Sequence, residues 1–448
     1  MTHFVSVPHG FAARSRLWFA IICLVFAPID VIDFLRDVGS FHLTPFLPLS
    51  LLYVVFLLFE QVSRMALGHP PKLLQLFDST TAVAAIFISS IWISAFFPSA
   101  DPQNLAISRA AYSTWVILFA ILFVSREKLF LPTIIASAFR IFIIFDAIAI
   151  VIQLLAVFNG WPLPGLVFGL RILQVAGILR PSGLVADSNA CSVLIIFFMG
   201  LAFLTRTYLN RGKWVGRGYY AAGVVLILLT ISRTGIISLV IFAAIPFMQS
   251  KRKLKALGAS LLATIVFGGL ALLYLQSTKT LSAVVEQAQL VLFSSDQRQE
   301  SSSIHFQLLA KGTTEFFGNA KTFLLGAGWG TEYDFTKEFF ADSKNGNFHN
   351  DFISIAVQTG IAGLACFLFL IAKPLLLRME WKPLTVIVLW SSMFCQYHGN
   401  PFWWIAIMIM STSLASRRRR RGIPMPALSR SGQLVSSSHM VKISIEGS

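Results

Sequence analysis

Charged residues are scarce in this chain of 448 residues: Asp, Glu, Lys and Arg together make up 12% of it, against about 25% in soluble globular proteins. With 56% hydrophobic residues, 41 Phe and 10 Trp, this scarcity excludes a protein of 448 residues whose whole surface faces water, and it excludes a disordered chain. Cysteine is scarce as well, and because all four cysteines lie in apolar runs, no disulfide framework is predicted. The chain has no CxxC or HExxH pattern, so we predict no metal site and no cofactor.

Long apolar runs dominate the rest of the sequence. A helix needs about 20 mostly apolar residues to cross the hydrocarbon core of a bilayer. Twelve runs approach or reach that length: 17–35, 43–59, 80–97, 106–124, 134–158, 189–207, 218–232, 234–249, 256–275, 351–371, 384–397 and 400–415. We therefore predict an all-α fold, a polytopic integral membrane bundle of about 12 transmembrane helices with a long periplasmic loop before the tenth. The seventh and eighth runs meet at 231–234, which predicts either a hairpin with a tight polar turn or a single broken element.

The distribution of Lys and Arg orients the predicted bundle. If the N-terminus is inside and the spans alternate, 24 of the 36 Lys and Arg residues fall in inside segments, which then carry a net charge of +19 against −3 elsewhere. This bias predicts that both termini are cytoplasmic. It also attributes most of the overall charge of +16 to membrane orientation and to inner-leaflet lipids, so we predict no nucleic-acid partner. The predicted segments are a cytoplasmic N-terminus at 1–16, spans one to nine at 17–275, a periplasmic loop at 276–350, spans ten to twelve at 351–415, and a basic cytoplasmic tail at 416–448.

Three polar residues at the predicted outer face have side chains suited to chemistry. His349 directly precedes the tenth span, and its unperturbed pKa of about 6.5 suits a general base near neutral pH. Arg180 and Arg233, in two outer segments, carry the planar donors that bind phosphate or carboxylate groups. Two of them also have structural alternatives: His349 could bond to the backbone at the membrane edge, and Arg233 could extend to lipid headgroups.

Helix starts are also predicted at this face. Asp187, Ser188 and Asn189 predict the N-cap of the sixth span, and Asn350 or Asp351 predicts that of the tenth. Each of these polar side chains can accept hydrogen bonds from the free N–H groups of a first helical turn. Capping alone would account for all of them without any catalytic role.

The long outer loop and its surroundings carry further signals. Within the loop, 282–293 and 305–317 predict short helices on the bundle, and the glycine-rich stretch 326–330 predicts a tight turn. Gly360 and Gly363 predict close helix packing in the tenth span. Near the last outer turn, His398 is a secondary site candidate, or it belongs to a region of aromatic membrane anchors.

In combination, these features resemble the O-antigen ligase and polysaccharide polymerase family of bacterial envelopes, over about residues 180–375. The resemblance rests on a His-Asn pair that is followed by Gly-x-x-Gly after a long outer loop, on a Ser-Arg-Thr tip, and on an Arg-x-x-Gly…Asp-x-Asn stretch. The residues that carry it are His349, Asn350, Gly360, Gly363, Arg233, Arg180, Gly183, Asp187 and Asn189.

The resemblance implies a membrane glycosyltransferase of the bacterial inner membrane. Its donor would be a glycan on undecaprenyl diphosphate, and its acceptor a hydroxyl of lipid A-core (a ligase) or of a growing glycan (an O-antigen or exopolysaccharide polymerase). It implies that His349 is the general base, that Arg180 and Arg233 bind the donor diphosphate, and that no metal takes part. Family members often carry an Arg at the start of the loop helix before the glycine turn, where this chain has a histidine. The secondary candidates are Asn350, His305, Arg298, Arg171 and His398.

Two other classes of function are compatible with the residues. A polytopic transporter or flippase of the envelope would depend on charges deep in the membrane, and Arg140 and Asp146 in the fifth span are such charges. We predict instead that each of them pairs with another helix. A structural membrane scaffold would need none of the outer-face residues.

Overall fold

A computed structural model describes residues 11–30, 44–67, 79–99, 103–128, 130–159, 172–175, 178–185, 187–206, 213–249, 295–339, 348–377 and 382–411. These residues are mostly helical. The first eight helices are α1 (Phe11–Phe26), α2 (Phe46–Ala66), α3 (Ser79–Phe96), α4 (Gln103–Arg126), α5 (Leu131–Asn159), α6 (Ser188–Arg206), α7 (Lys213–Leu229) and α8 (Arg233–Gln249). The later helices are α9 (Ser295–Gly318), α10 (Ala320–Leu325), α11 (Glu332–Thr336), a 3₁₀ turn (Lys337–Phe339), α12 (Asp351–Leu377), α13 (Lys382–Ser392) and α14 (Pro401–Ser411).

Helices form at eleven of the twelve predicted runs within the described part of the chain. The ninth run, 256–275, lies outside the described residues, as do the predicted loop helix 282–293 and the tail from 412. Five helices are long and apolar enough to cross a membrane by length and composition: the windows Phe46–Ser63, Ser79–Phe96, Ala106–Arg126, Leu131–Ala156 and Asp351–Leu376. Shorter apolar helices are Ser188–Leu204, Gly216–Leu229, Arg233–Ala243 and Pro401–Ser411. The total of about 12 spans and the periplasmic position of the long loop stay predictions.

The centre of the bundle is α14. All of its residues are buried, and it packs against α4, α6 and α12. A helix that is apolar around its whole circumference belongs inside a protein. Its aromatic residues stack on the neighbouring helices, with Phe402 4.0 Å from Phe198 and Trp403 5.0 Å from Phe197 between ring centroids.

The described residues are mostly helical, as predicted, and one short β hairpin is the exception. Residues Ile172–Val175 form strand β1 and Ile178–Pro181 form strand β2. The two strands pair antiparallel, with Leu173 opposite Arg180. Arg180 is therefore on an ordered strand, close to the start of α6.

The loop helices lie against α12. The predicted helix at 305–317 falls within α9, which packs on α12 together with α10. Phe316, Ala327, Phe348 and Val357 form a buried apolar cluster between the loop and α12. Burial of these side chains holds the described part of the loop on the bundle.

The helix α12 is broken at Gly360, where φ is 71° and ψ is −171°. A Cβ atom at this position would lie 2.6 Å from the carbonyl oxygen of Leu324 in α10. Glycine is therefore required both for the positive φ and for the close approach of α10. Further along, a Cβ at Gly363 would lie 2.8 Å from Ser90 Oγ of α3, so this glycine lies at the contact between α12 and α3.

Candidate functional site

The start of α6 is capped by Asp187. Its carbonyl oxygen accepts the N–H of Cys191 at 2.8 Å, and its Oδ1 accepts the N–H groups of Asn189 (2.7 Å) and Ala190 (2.9 Å). These are the bonds of an N-cap residue, so the predicted cap is confirmed and assigned to Asp187. The carboxylate is held at the positive end of the helix.

The loop between β2 and α6 is fastened to α5 by two buried polar side chains. Gln153 accepts the N–H groups of Ser182 (3.2 Å) and Gly183 (3.0 Å) through Oε1, and its Nε2 donates to the Gly183 carbonyl at 3.2 Å. Asp146 Oδ1 accepts the N–H of Leu184 at 2.9 Å. Asp146, the deep acid of the fifth span, therefore binds a backbone N–H group, which would cost free energy if it were buried without an acceptor.

Gly183 makes this fastening possible. Its φ is +61°, and a Cβ there would lie 2.0 Å from Asp146 Oδ1. Only glycine fits both the backbone conformation and the space. The other deep charge, Arg140, lies over the ring of Tyr219 in α7, 5.8 Å from its centroid, as expected of a charge that pairs with another helix.

Arg180 points from β2 toward the starts of α6 and α8. Its Nη2 donates to Asn189 Oδ1 at 2.8 Å, and its Nε donates to the Thr230 carbonyl at 3.4 Å. Burial lowers the pKa of Arg180, the Asp187 carboxylate opposes this effect, and the nearby Arg233 lowers the pKa further. The two arginines thus lie near enough for their charges to interact, as two arginines that bind one anion would.

Arg233 is the first residue of α8. Of the two predicted alternatives, the structure has the hairpin: α7 and α8 pack together and are separated by the turn 230–232. Ser232 Oγ accepts the N–H of Gly235 at 2.9 Å and so caps α8. The Arg233 side chain is exposed.

His349 precedes the cap of α12. Asn350 is that cap, since its Oδ1 accepts the N–H of Ile353 at 3.0 Å and its carbonyl accepts that of Ser354 at 2.9 Å. Its Nδ2 donates to the Met393 carbonyl at 3.1 Å, in the turn before α14. His349 itself has a φ of 50°, a backbone conformation that costs energy for a non-glycine residue. Such strain is often found at functional sites.

A second histidine lies beside His349. The ring of His305, on α9, is edge-on to that of His349 with 5.0 Å between centroids. Burial, together with the neighbouring His305, lowers the pKa of His349 to about 4, although the Asp187 carboxylate acts in the opposite direction. His349 is therefore neutral around pH 7, which is the form that can accept a proton.

Asp187 links these groups electrostatically. Its carboxylate acts on the pKa values of Arg180, His305 and His349. The structure therefore brings together the three main predicted residues and one secondary candidate, His305. They surround the N-terminal ends of α6, α8 and α12.

Of the remaining secondary candidates, Asn350 directly follows His349 and caps α12. Arg298 is in α9. Arg171 lies outside the described residues. His398 is buried, in the turn between α13 and α14, and belongs to a separate polar network.

The network around His398 was missed by sequence reasoning. Asp351 accepts the N–H groups of Tyr397 (2.8 Å) and His398 (3.1 Å), and its Oδ1 lies 2.9 Å from His398 Nδ1. On the far side of the ring, Gln358 Nε2 is 3.3 Å and Gln396 Nε2 is 3.2 Å from His398 Nε2. The signals available in the sequence were His398 itself, a secondary candidate, and polar residues within apolar runs, such as Gln358.

The glycine turn supplies the other end of this network. Gly330 N–H donates to Gln358 Oε1, which leaves the Gln358 amide nitrogen to donate to Glu332 and His398. In neutral His398 the proton then lies on Nδ1, toward Asp351. Burial raises the pKa of the Glu332 carboxyl. The predicted tight turn is also bound directly to the backbone of α12, because Ala327 N–H donates to the Val357 carbonyl at 2.7 Å.

The described residues contain no group of three or more His, Cys, Asp or Glu side chains that could hold a metal ion. The four cysteines, all among the described residues, form no disulfide. The site geometry above therefore consists of two arginines, two histidines, one carboxylate and three helix starts.

The long apolar helices, with this polar site at one end of them, are those of a multi-pass membrane protein. Residues 218–368 match the model of the O-antigen ligase family, which agrees with the resemblance drawn from the sequence. The match covers about a third of the chain. It includes Arg233, His305 and His349, whereas Arg180 precedes it. No curated protein matches the chain.

Proposed function

We propose that this protein transfers a glycan from an undecaprenyl-diphosphate-type carrier to a hydroxyl acceptor at the periplasmic face of the bacterial inner membrane. The family match supports an O-antigen ligase-like or polymerase-like membrane protein. The observation that carries the finer proposal is the grouping of three side chains close to three helix starts: Arg180 interacts with both Asp187 and Arg233, and His349 interacts with Asp187.

In this reaction the acceptor oxygen attacks the anomeric carbon of the donor glycan, and the bond between that carbon and the diphosphate oxygen breaks. Negative charge grows on the departing diphosphate. Arg180 and Arg233 stabilise this charge, and the N-terminal end of α8 contributes partial positive charge. Fixed donors of this kind typically accelerate a reaction by about 10²–10³ each.

The acceptor hydroxyl loses its proton as it attacks. His349 takes this proton, since it is neutral in the empty site. The negative diphosphate next to the site raises the pKa of His349 when the donor is bound, which favours proton capture at the moment of transfer. The reaction needs no metal ion, because guanidinium groups perform the charge stabilisation that a metal would provide.

The acceptor is lipid A-core if the protein is a ligase, and a growing glycan if it is a polymerase. The two activities share the donor chemistry. The glycan profile of a deletion strain separates them: unattached long chains indicate a ligase, and single unextended repeat units indicate a polymerase.

The test of the proposed function is surface glycan in cells that carry His349→Ala, Arg180→Ala or Arg233→Ala. We expect each variant to accumulate in the membrane and to lose transfer, by about 10²–10⁴-fold for the base. Lys337→Ala is the control, because it removes a positive charge from an exposed position in the 3₁₀ turn, which is not one of the site residues. Normal surface glycan in all three site variants would refute the proposal.

A transporter or flippase predicts the opposite pattern, with essential deep charges and dispensable outer-face residues. The binding of Asp146 to the Leu184 backbone gives that acid a structural reason to be present. It therefore supports the glycosyltransferase proposal over transport.

A further inference from the structure

We propose that Asn189 is a positioning residue, which fixes the direction of the Arg180 guanidinium and couples it to the helix start that carries Arg233. This inference rests on the proposed function of the two arginines. It assigns to the Asn189 side chain a role that helix capping does not explain, because Asp187 already caps α6.

The side-chain oxygen of Asn189 joins two separate parts of the chain. Oδ1 accepts Arg180 Nη2 at 2.8 Å and Ser232 Oγ at 2.8 Å. An amide oxygen has two lone pairs, and these two donors occupy both of them. Ser232 Oγ in turn accepts the N–H of Gly235, so a continuous chain of hydrogen bonds runs from strand β2 to the first turn of α8.

Asn189 is itself held rigidly. Its N–H donates to Asp187 Oδ1 at 2.7 Å, and its carbonyl accepts Ser192 Oγ at 2.8 Å. At this point α6 and α8 are in close contact, since a Cβ at Gly235 would lie 2.3 Å from Ser192 Oγ. The amide is thus presented from the first turn of a packed helix, which is the kind of support that holds a functional side chain in a fixed geometry.

These hydrogen bonds fix the orientation of the Arg180 guanidinium plane. A guanidinium is planar, and its donors have a rigid fork geometry. The Nη2 bond to Asn189 and the Nε bond to the Thr230 carbonyl together set the orientation of that fork. Without the Asn189 bond the guanidinium can rotate about its outer torsions, and its alignment with a diphosphate would have to be regained in every catalytic cycle.

The test uses purified protein in proteoliposomes with an undecaprenyl-diphosphate-linked glycan as donor. Asn189→Leu has a similar volume and no acceptor, and we expect it to lower kcat by about 10–100-fold. Asn189→Asp retains both acceptor contacts and adds one negative charge. We expect it to raise the KM for the donor with a smaller effect on kcat. Ser89→Ala is the matched control, because it removes a hydroxyl that donates only to a carbonyl of its own helix, α3, at 3.0 Å, and transfer should be unchanged.

A double-mutant cycle separates positioning from a general structural role. If Asn189 acts through Arg180, Asn189→Leu causes no further loss in an Arg180→Ala background. An equal further loss there, or normal transfer by Asn189→Leu, would overturn the inference. If Asn189→Leu does not accumulate, an unchanged donor KM in Asn189→Asp would overturn it. If Arg180→Ala loses transfer but Asn189→Leu keeps it, only the positioning role is refuted. If Arg180→Ala keeps normal transfer, both the proposed function of that arginine and the positioning role are refuted.

Discussion

The substitution Gly183→Ala tests whether the loop that precedes α6 sets the position of Arg180. Gly183 has a φ of +61°, and an added Cβ would lie 2.0 Å from Asp146 Oδ1. The methyl group therefore has to displace either the loop or the Asp146 carboxylate. Both movements break the 2.9 Å bond between Leu184 N–H and that carboxylate.

The expected cost has two parts. A left-handed backbone conformation costs a non-glycine residue about 1–2 kcal/mol. A buried N–H group without its acceptor costs about 1–3 kcal/mol. Together they amount to about 2–5 kcal/mol, a large fraction of the stability of about 5–15 kcal/mol that is typical of folded domains. We also expect transfer to fall, because Arg180 is three residues away on β2.

The assay is the thermal unfolding midpoint in detergent, measured together with glycan transfer. Gly218→Ala is the control: Gly218 lies within α7, and nothing is within 4 Å of a Cβ there. Alanine at such a helical position should stabilise by about 1 kcal/mol, so the two substitutions are expected to have opposite signs. If Gly183→Ala has the midpoint and the transfer rate of the wild-type protein, the account of this loop is incorrect.

Three further predictions concern other parts of the site. Because His349 has a pKa of about 4 and must be neutral to act as a base, kcat/KM for transfer should be lost only as the pH falls through about 4. His305→Ala removes a neighbouring positive charge and should move this loss to higher pH; an unmoved profile would show that the two rings are not coupled. Gln358→Leu leaves Gly330 N–H without its acceptor and removes one donor to Glu332, which still accepts Gln396 Nε2 at 2.7 Å. It should destabilise by about 1–3 kcal/mol, seen as a lower unfolding midpoint, and an unchanged midpoint would contradict the network. Asp146→Asn retains an acceptor for Leu184 N–H and should keep transfer near the wild-type level, whereas complete loss in a vesicle transport assay, with His349→Ala still active, would favour a transporter.

The elements that the sequence could predict depend on local patterns. Apolar runs become helices because each helix satisfies its own backbone hydrogen bonds. The caps of α6 and α12 were predictable because Asp187 and Asn350 bond to residues only two to four positions further on. The close approach at Gly360 was signalled by a glycine in an apolar run, although the break in α12 was not.

Elements that depend on distant partners could not be predicted in this way. The strands of the β1–β2 hairpin are only four residues long, too short for an alternating pattern to be recognised. The thirteenth helix, α13, ends at Ser392, earlier than the predicted 397, and the following turn is bound by the Asp351 carboxylate. The bond between Asn189 and Ser232 joins residues 43 positions apart.

The candidate site was predicted in part for the same reason. Arg180, Arg233 and His349 were selected because of the family resemblance and the predicted topology. Neither of these could indicate that a single carboxylate, Asp187, interacts with Arg180, His305 and His349. The network of Asp351, His398 and Gln358 depends on side chains that meet only after the bundle has formed.

The central claim is that His349 accepts the proton of the attacking hydroxyl while the arginines hold the diphosphate. It is tested most directly by measuring the release of undecaprenyl diphosphate from a lipid-linked glycan in proteoliposomes that contain purified protein and acceptor. We predict that His349→Ala binds the donor as the wild-type protein does, because Arg180 and Arg233 are intact, but releases diphosphate at least about 10²-fold more slowly. Release at the wild-type rate by His349→Ala would contradict the account.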